Sequence, residues 1–178
     1  MGLNKLMIET YLTLLGDELA KENIQGRVLI AGGAALCLGY GMDGSTEDID
    51  AIFEPANLII NIANKMSLER NLDLGWLNNG VAGYLEQDPP YIRYKKIKGL
   101  DIDLVAADYL LAMKISASRL DSDDFADTAY LSRFLALQSP DQALEIFKRY
   151  FPDRELSENA RANLEAAFKG LKTGKSTS

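Results

Sequence analysis

The sequence predicts an α/β (α+β) protein, a small mixed sheet flanked by helices and followed by a helical C-terminal half. Three observations predict it. Short apolar or alternating runs, RVLIA (27–31), DIDAIF (48–53), YIRYKKI (91–97) and LDIDLVA (100–106), all fall in the first 106 residues. Helical spacing of apolar residues holds for residues 3 to about 22, and the chain reads as helical throughout after residue 107. The length of 178 residues, 47% hydrophobic, suits one real core and not two comfortable domains. The expectation is therefore a single domain over 1–178. Its core covers about 24–120, a helical part about 121–172, and a frayed tail 173–178.

Each element has a local reason. Leu3, Leu6, Met7, Tyr11, Leu14, Leu15 and Leu19 recur at steps of three and four, giving one apolar stripe that Asn23 and Gly26 end. RVLIA is apolar enough for a buried strand. Gly32-Gly33 leads from it into AALCLGY, a short helix rich in small residues. DIDAIF alternates as a strand does, and Pro55 suits the first turn of a helix over roughly 55–66. Residues 67–90 mix turn signals with apolar residues and read as a short helix with loops. The strands 91–97 and 100–106 join around Lys98-Gly99 as a hairpin. Beyond them come DYLLAMKISASRL, then DSDDFADTAYLSRFLAL capped by Asp121 or Ser122. SPDQALEIFKRY follows, with the capping box Ser139/Gln142 and Pro140 at the first helical position, and last SENARANLEAAFKGL, capped by Ser157.

Composition removes whole chemistries. The chain has no histidine and one cysteine, Cys37. A Ser-His-Asp triad, a Cys-His dyad and a His- or Cys-built zinc site are all excluded. Any catalytic metal must be held by protein oxygens, which selects Mg²⁺, Mn²⁺ or Ca²⁺. A lone cysteine, no apolar run near the ~20 residues of a membrane span and no signal-peptide pattern point to a cytoplasmic protein. The net charge of −7 argues against extended DNA binding. Local basic groups remain: Arg93, Lys95, Lys96 and Lys98, and later Lys169, Lys172 and Lys175. The first of these is an exposed strand face or a groove for RNA or triphosphate. Trp76 and the Tyr84–Tyr94 region are core or loop anchors or a stacking surface for a base.

The segment GGAALCLGYGMDGSTEDIDAIF (32–53) carries the chemistry. Glycines between a strand and a helix let backbone N–H groups approach a bulky anion, and the helix dipole favours negative charge there. Asp48 and Asp50, two apart on a strand, point to one face about 6–7 Å apart along the chain. Two like charges at that distance repel by roughly 2 kcal/mol at an effective dielectric near 20, so a divalent cation is the efficient counter-charge. Asp101 and Asp103 repeat the pattern in LDIDLV. Two such strands bring together three or four carboxylates, enough for two metal ions in an in-line phosphoryl displacement. The further cluster Asp121, Asp123, Asp124 and Asp127 reads as a helix N-terminus, since an EF-hand's Gly and Glu are missing from their places.

The order of these parts, GG, a short helix, TxDhD on a strand and then a second acidic strand, resembles the polymerase-β-like nucleotidyltransferase superfamily. The stretch AADYLLAMKISASRLDSDDFADTAYL (106–131) resembles the small bacterial nucleotidyltransferases allied to the AbiEii toxins, through Lys114, Arg119, Asp124 and Asp127. The resemblance covers roughly residues 27–131. It implies a nucleotidyltransferase-type sheet and transfer of a nucleoside monophosphate from an NTP to an RNA or tRNA end, a protein or a small molecule. Gly32, Gly33, Thr46 and Lys114 would bind the nucleotide. Asp48 and Asp50 would hold Mg²⁺ or Mn²⁺, with Asp103, or else Asp101, as the third carboxylate. A toxin role with a cognate antitoxin as partner is also implied. Two residues depart from the pattern: Ala34 stands where many active members have Ser after GG, and Gly44 where toxin-like relatives often have Arg. Both favour the alternative of a silent nucleotide- or protein-binding module of the same fold.

Overall fold

The computed structural model describes residues 2–85, 88–117 and 124–173. The chain forms two compact units, Met1–Val105 and Ala106–Ser178. The architecture is mixed α/β, as the sequence predicts: all the strands lie in the first unit, and the second is helical.

The first unit runs α1 (Lys5–Lys21), β1 (Gly26–Ile30), α2 (Gly32–Gly39), β2 (Ile49–Glu54), α3 (Ala56–Arg70), β3 (Leu77–Asn78), β4 (Tyr91–Ile97) and β5 (Leu100–Val105). The five strands make one mixed sheet in the order β3-β2-β1-β5-β4. β1 is central. It pairs antiparallel with β2 (Leu29 opposite Ile52) and parallel with β5 (Leu29 opposite Asp103). β4 closes the hairpin onto β5 with a bulge between Arg93 and Lys95, and β3 adds parallel to β2.

The helices of this unit all lie on one sheet face. A side chain added at Gly26 would meet Leu19 of α1 and Ile59 of α3, and one at Gly39 of α2 would meet Leu104. That face holds the core: Val28, Ile30, Ala51, Phe53, Ile102 and Leu104 are buried. Because side chains alternate along a strand, the opposite face carries Arg27, Leu29, Asp50, Asp101 and Asp103, whereas Asp48 lies in a bend just before β2 rather than on the strand expected from 48. Every polar residue of interest on the sheet therefore shares one face.

α1 begins where Asn4 accepts a hydrogen bond from the Met7 N–H (3.0 Å). Its buried stripe is Ile8, Leu12, Leu15 and Leu19, with Gly16 among them. This differs from the stripe read off the sequence. Leu6 is 72% exposed, because the helix offers two overlapping apolar rows and the sheet takes only one. Asn23 adopts a left-handed conformation just past the helix, whereas Gly26 opens β1 rather than ending α1. Pro55 sits one position earlier than expected, as the residue before the first turn of α3. The helix continues to Arg70, past the expected end near 66. The segment 67–90 contains the end of α3, the two-residue β3 and a 3-10 turn at Gly80–Gly83.

The β4–β5 turn packs hard on α1. Gly99 has φ +75°, and a Cβ there would lie 2.0 Å from the Gly16 carbonyl oxygen. Gly99→Ala is expected to cost about 2–4 kcal/mol, from the positive φ and the overpacking together. Urea denaturation measures it, and an unchanged midpoint would refute this close approach.

The second unit contains α4 (Ala107–Ala117), α5 (Asp124–Phe134), α6 (Pro140–Tyr150) and α7 (Glu158–Thr173). The signals at α6 act as read, with one change. Ser139 Oγ accepts from Gln142 N–H (3.4 Å), but Gln142 Oε1 accepts from Gln138 N–H rather than from Ser139. Ser157 Oγ accepts from Ala160 N–H (3.2 Å). Tyr109 meets Tyr150 edge-on at 4.9 Å, and the Tyr150 hydroxyl donates to Asp108 Oδ2 (2.5 Å). Burial and that carboxylate push the Tyr150 hydroxyl up to about 12. The expected caps Asp121 and Ser122, together with Arg119, Asp123 and Lys175, lie outside the described residues, as do the side chains of Asp124 and Lys172.

Candidate functional site

The candidate site forms at one end of the central strands, where β1 turns into α2 and the chain enters β2. Gly32 has φ +60°, a conformation that glycine takes at little cost and that turns the chain into α2 at once. Asp50 follows from the pairing: its carbonyl accepts from Ala31 N–H (2.9 Å), which sets the Asp50 side chain beside the glycine turn. A Cβ added at Gly32 would lie 3.2 Å from Asp50 Oδ2. At Gly33 an added Cβ would lie 2.7 Å from Thr46 Oγ1. Thr46 is fixed by a two-way backbone bridge with Leu3, Leu3 N–H to Thr46 O at 2.6 Å and Thr46 N–H to Leu3 O at 3.0 Å. The structure thus brings Gly32, Gly33, Thr46, Asp48 and Asp50 together.

Asn78 completes the cluster, and sequence reasoning missed it. It lies on β3 opposite Asp50. Its amide donates to Asp48 Oδ2 (2.9 Å), and its Oδ1 accepts from Gly80 N–H (2.8 Å). A two-residue strand leaves no periodic signal. The only available cue was the pair Asn78-Asn79 before Gly80 in a segment otherwise hard to read.

The electrostatics of the cluster are unbalanced. Asp48 and Asp50 are both half-buried. Burial pushes the Asp48 carboxyl above the ordinary carboxylate range, and the negative charges of Asp50 and Glu47 push it further, against the Asn78 hydrogen bond. The oxygens on offer are carboxylates and a hydroxyl, all hard ligands, so the set fits Mg²⁺ or Mn²⁺.

Asp101 and Asp103 share the sheet face but stand apart from this pair. Asp103 lies in the row Ile52–Leu29–Asp103, one side-chain row behind Asp50 and two strands across, about 12 Å between Cα atoms from strand spacing and rise. It is fully buried. Arg27 Nε donates to its Oδ2 at 2.7 Å. Arg93 Nε lies 2.7 Å from its Oδ1, a close ionic contact whose direction leaves Oδ1 without a hydrogen bond. Asp101 accepts from Gln25 (2.9 Å) and pairs with Arg93 (3.1 Å) and Lys96 (3.5 Å). Burial raises the Asp101 carboxyl, but the Arg93 and Gln25 hydrogen bonds and the Lys96 charge outweigh it and hold the group below its ordinary range. Among the described residues no third acidic side chain joins Asp48 and Asp50.

The remaining expectations fall in the second unit or the core. Lys114 Nζ lies 2.8 Å from Asp127 Oδ2, and both side chains are largely buried. Trp76 is buried, stands edge-on to Tyr11 at 5.4 Å and donates to Ala63 O (3.3 Å), as a core anchor does. Tyr94 is tied to Glu9 (2.7 Å). Cys37 is buried. No helix among the described residues is long and apolar enough to cross a membrane. No family model, curated protein or solved structure matches the chain.

Proposed function

We propose that the chain is a nucleotidyltransferase that binds an NTP at Gly32, Gly33, Thr46, Asp48 and Asp50 and transfers its nucleoside monophosphate to an acceptor. One observation carries the reading. Two half-buried carboxylates that have no cationic partner among the described residues sit against a glycine turn whose backbone and adjacent hydroxyl can receive phosphate oxygens. Asp48 and Asp50 would hold the Mg²⁺, which neutralises charge on the triphosphate when bound. Asn78 keeps the Asp48 carboxylate turned toward the site. Thr46 and the Gly33 backbone accept a bulky anion because no Cβ intrudes. A cytoplasmic setting, and a toxin role with a cognate antitoxin, rest on the sequence and its resemblance alone.

The second reading is a module that binds nucleotide without transfer. Asp103 favours it, since two guanidiniums occupy the carboxylate that the resemblance would make the third metal ligand. Labelled NTPs with Mg²⁺ or Mn²⁺ and total RNA and protein separate the two. Transfer that disappears in an Asp48→Ala, Asp50→Ala double variant supports the enzyme. Transfer that survives it sinks the assigned site. Thermal stabilisation by NTP and Mg²⁺ without transfer supports the module.

A further inference from the structure

The face that carries Asp50 continues across β1, β5 and β4, and its far side has the opposite character. Arg27 and Arg93, both about half exposed, stand over the buried Asp103. The Arg27 guanidinium stacks on the Tyr91 ring at 4.6 Å, and Tyr91 is 45% exposed. Lys96 lies farther along the same strand. The pairing puts Tyr91 opposite Val105, which lies in the same cross-sheet row as Ala31 and Asp50.

A buried carboxylate between two exposed guanidiniums is an orienting device. It costs desolvation and contributes little to stability by itself. It does fix two planar donor forks, each keeping N–H groups for another anion. An exposed aromatic ring beside oriented arginines is the combination that holds single-stranded nucleic acid, phosphates on the guanidiniums and a base on the ring.

We propose that Arg27, Arg93 and Tyr91 form the acceptor subsite, that its ligand is a single-stranded nucleic acid, and that Asp103 is the positioning residue that orients both arginines. The inference rests on the nucleotidyltransferase reading only in calling the ligand an acceptor. The subsite itself stands on its own geometry. It gives Asp103 a role other than metal ligation.

The test is fluorescence anisotropy of the full chain with short labelled single-stranded RNA and single-stranded DNA over a series of salt concentrations. Arg27→Gln and Arg93→Gln are each expected to weaken binding about tenfold and to lower the salt slope by about 1. Asp103→Asn is the decisive variant. It removes a negative charge, so a simple basic patch would bind more tightly. A positioning role requires weaker binding, with NTP·Mg²⁺ stabilisation unchanged. Tighter or unchanged binding by Asp103→Asn overturns the proposal. A preference for RNA or for DNA identifies the source of the strand. Asp48→Asn, Asp50→Asn separates the two readings: if it leaves both oligonucleotide and NTP binding intact, the nucleotidyltransferase reading falls and the subsite stands. Should a variant fail to fold, the wild type still decides. Bound oligonucleotide must shield Arg27 and Arg93 from phenylglyoxal, read by mass spectrometry, and unshielded arginines overturn the assignment.

Discussion

An Arg27→Ala, Arg93→Ala double variant is expected to lose about 3 kcal/mol of folding stability, enough to move a denaturation midpoint plainly. The reason lies under the arginines rather than in them. Both guanidiniums are half exposed and would be well solvated without a partner, so their own loss is small. Asp103 is fully buried. Stripped of both cations it becomes a carboxylate in the interior with nothing to offset its desolvation. Adding Asp103→Asn to the double variant is expected to restore a large part of the loss, because the neutral amide tolerates the site far better. Urea titrations of the double and triple variants check this. Equal midpoints for the two would mean that the Asp103 charge is not what the arginines support.

The second large effect has the opposite sign. Asp50→Asn is expected to stabilise the ligand-free chain by about 1–2 kcal/mol, the repulsion between two carboxylates a short distance apart. The same change is expected to abolish stabilisation by NTP with Mg²⁺, which for the wild type should reach roughly 2.7 kcal/mol at a hundred times Kd. Stability gained by removing a charge, with ligand response lost, separates a binding carboxylate from a structural one. Thermal melts with and without NTP and Mg²⁺ read both quantities together. A variant that still responds to the ligand would remove Asp50 from the site.

What the sequence made legible follows from the range of each signal. Helix α6 has its start written locally in Ser139 and Pro140, and the β4–β5 hairpin has Lys98-Gly99 between two alternating runs. The Gly32-Gly33 turn and Asp48/Asp50 are near neighbours along the chain, so one stretch of sequence could suggest that they meet. Asn78 escaped because β3 is too short to show a period. The partners of Asp103 escaped for another reason. Arg27 is 76 residues away in sequence, and only the parallel pairing of β1 with β5 brings it alongside. The acidic alternation of LDIDLV correctly put Asp101 and Asp103 on one face of a strand. It carried no information about the row, one behind Asp50, or about which cations wait there.

That pairing also sets an order of events in folding. α1, β1, α2 and β2 are contiguous and can associate through short loops, but β1 cannot receive its parallel neighbour until β5 exists, some 70 residues later. During synthesis at about 5–20 residues per second, one edge of β1 waits unpaired for several seconds. Arg27 lies on that edge, with its charge among the apolar residues of the strand, and a charged side chain discourages a stray strand from docking there. The residue that ends as a partner of Asp103 would thus first serve as a guard on a nascent sheet.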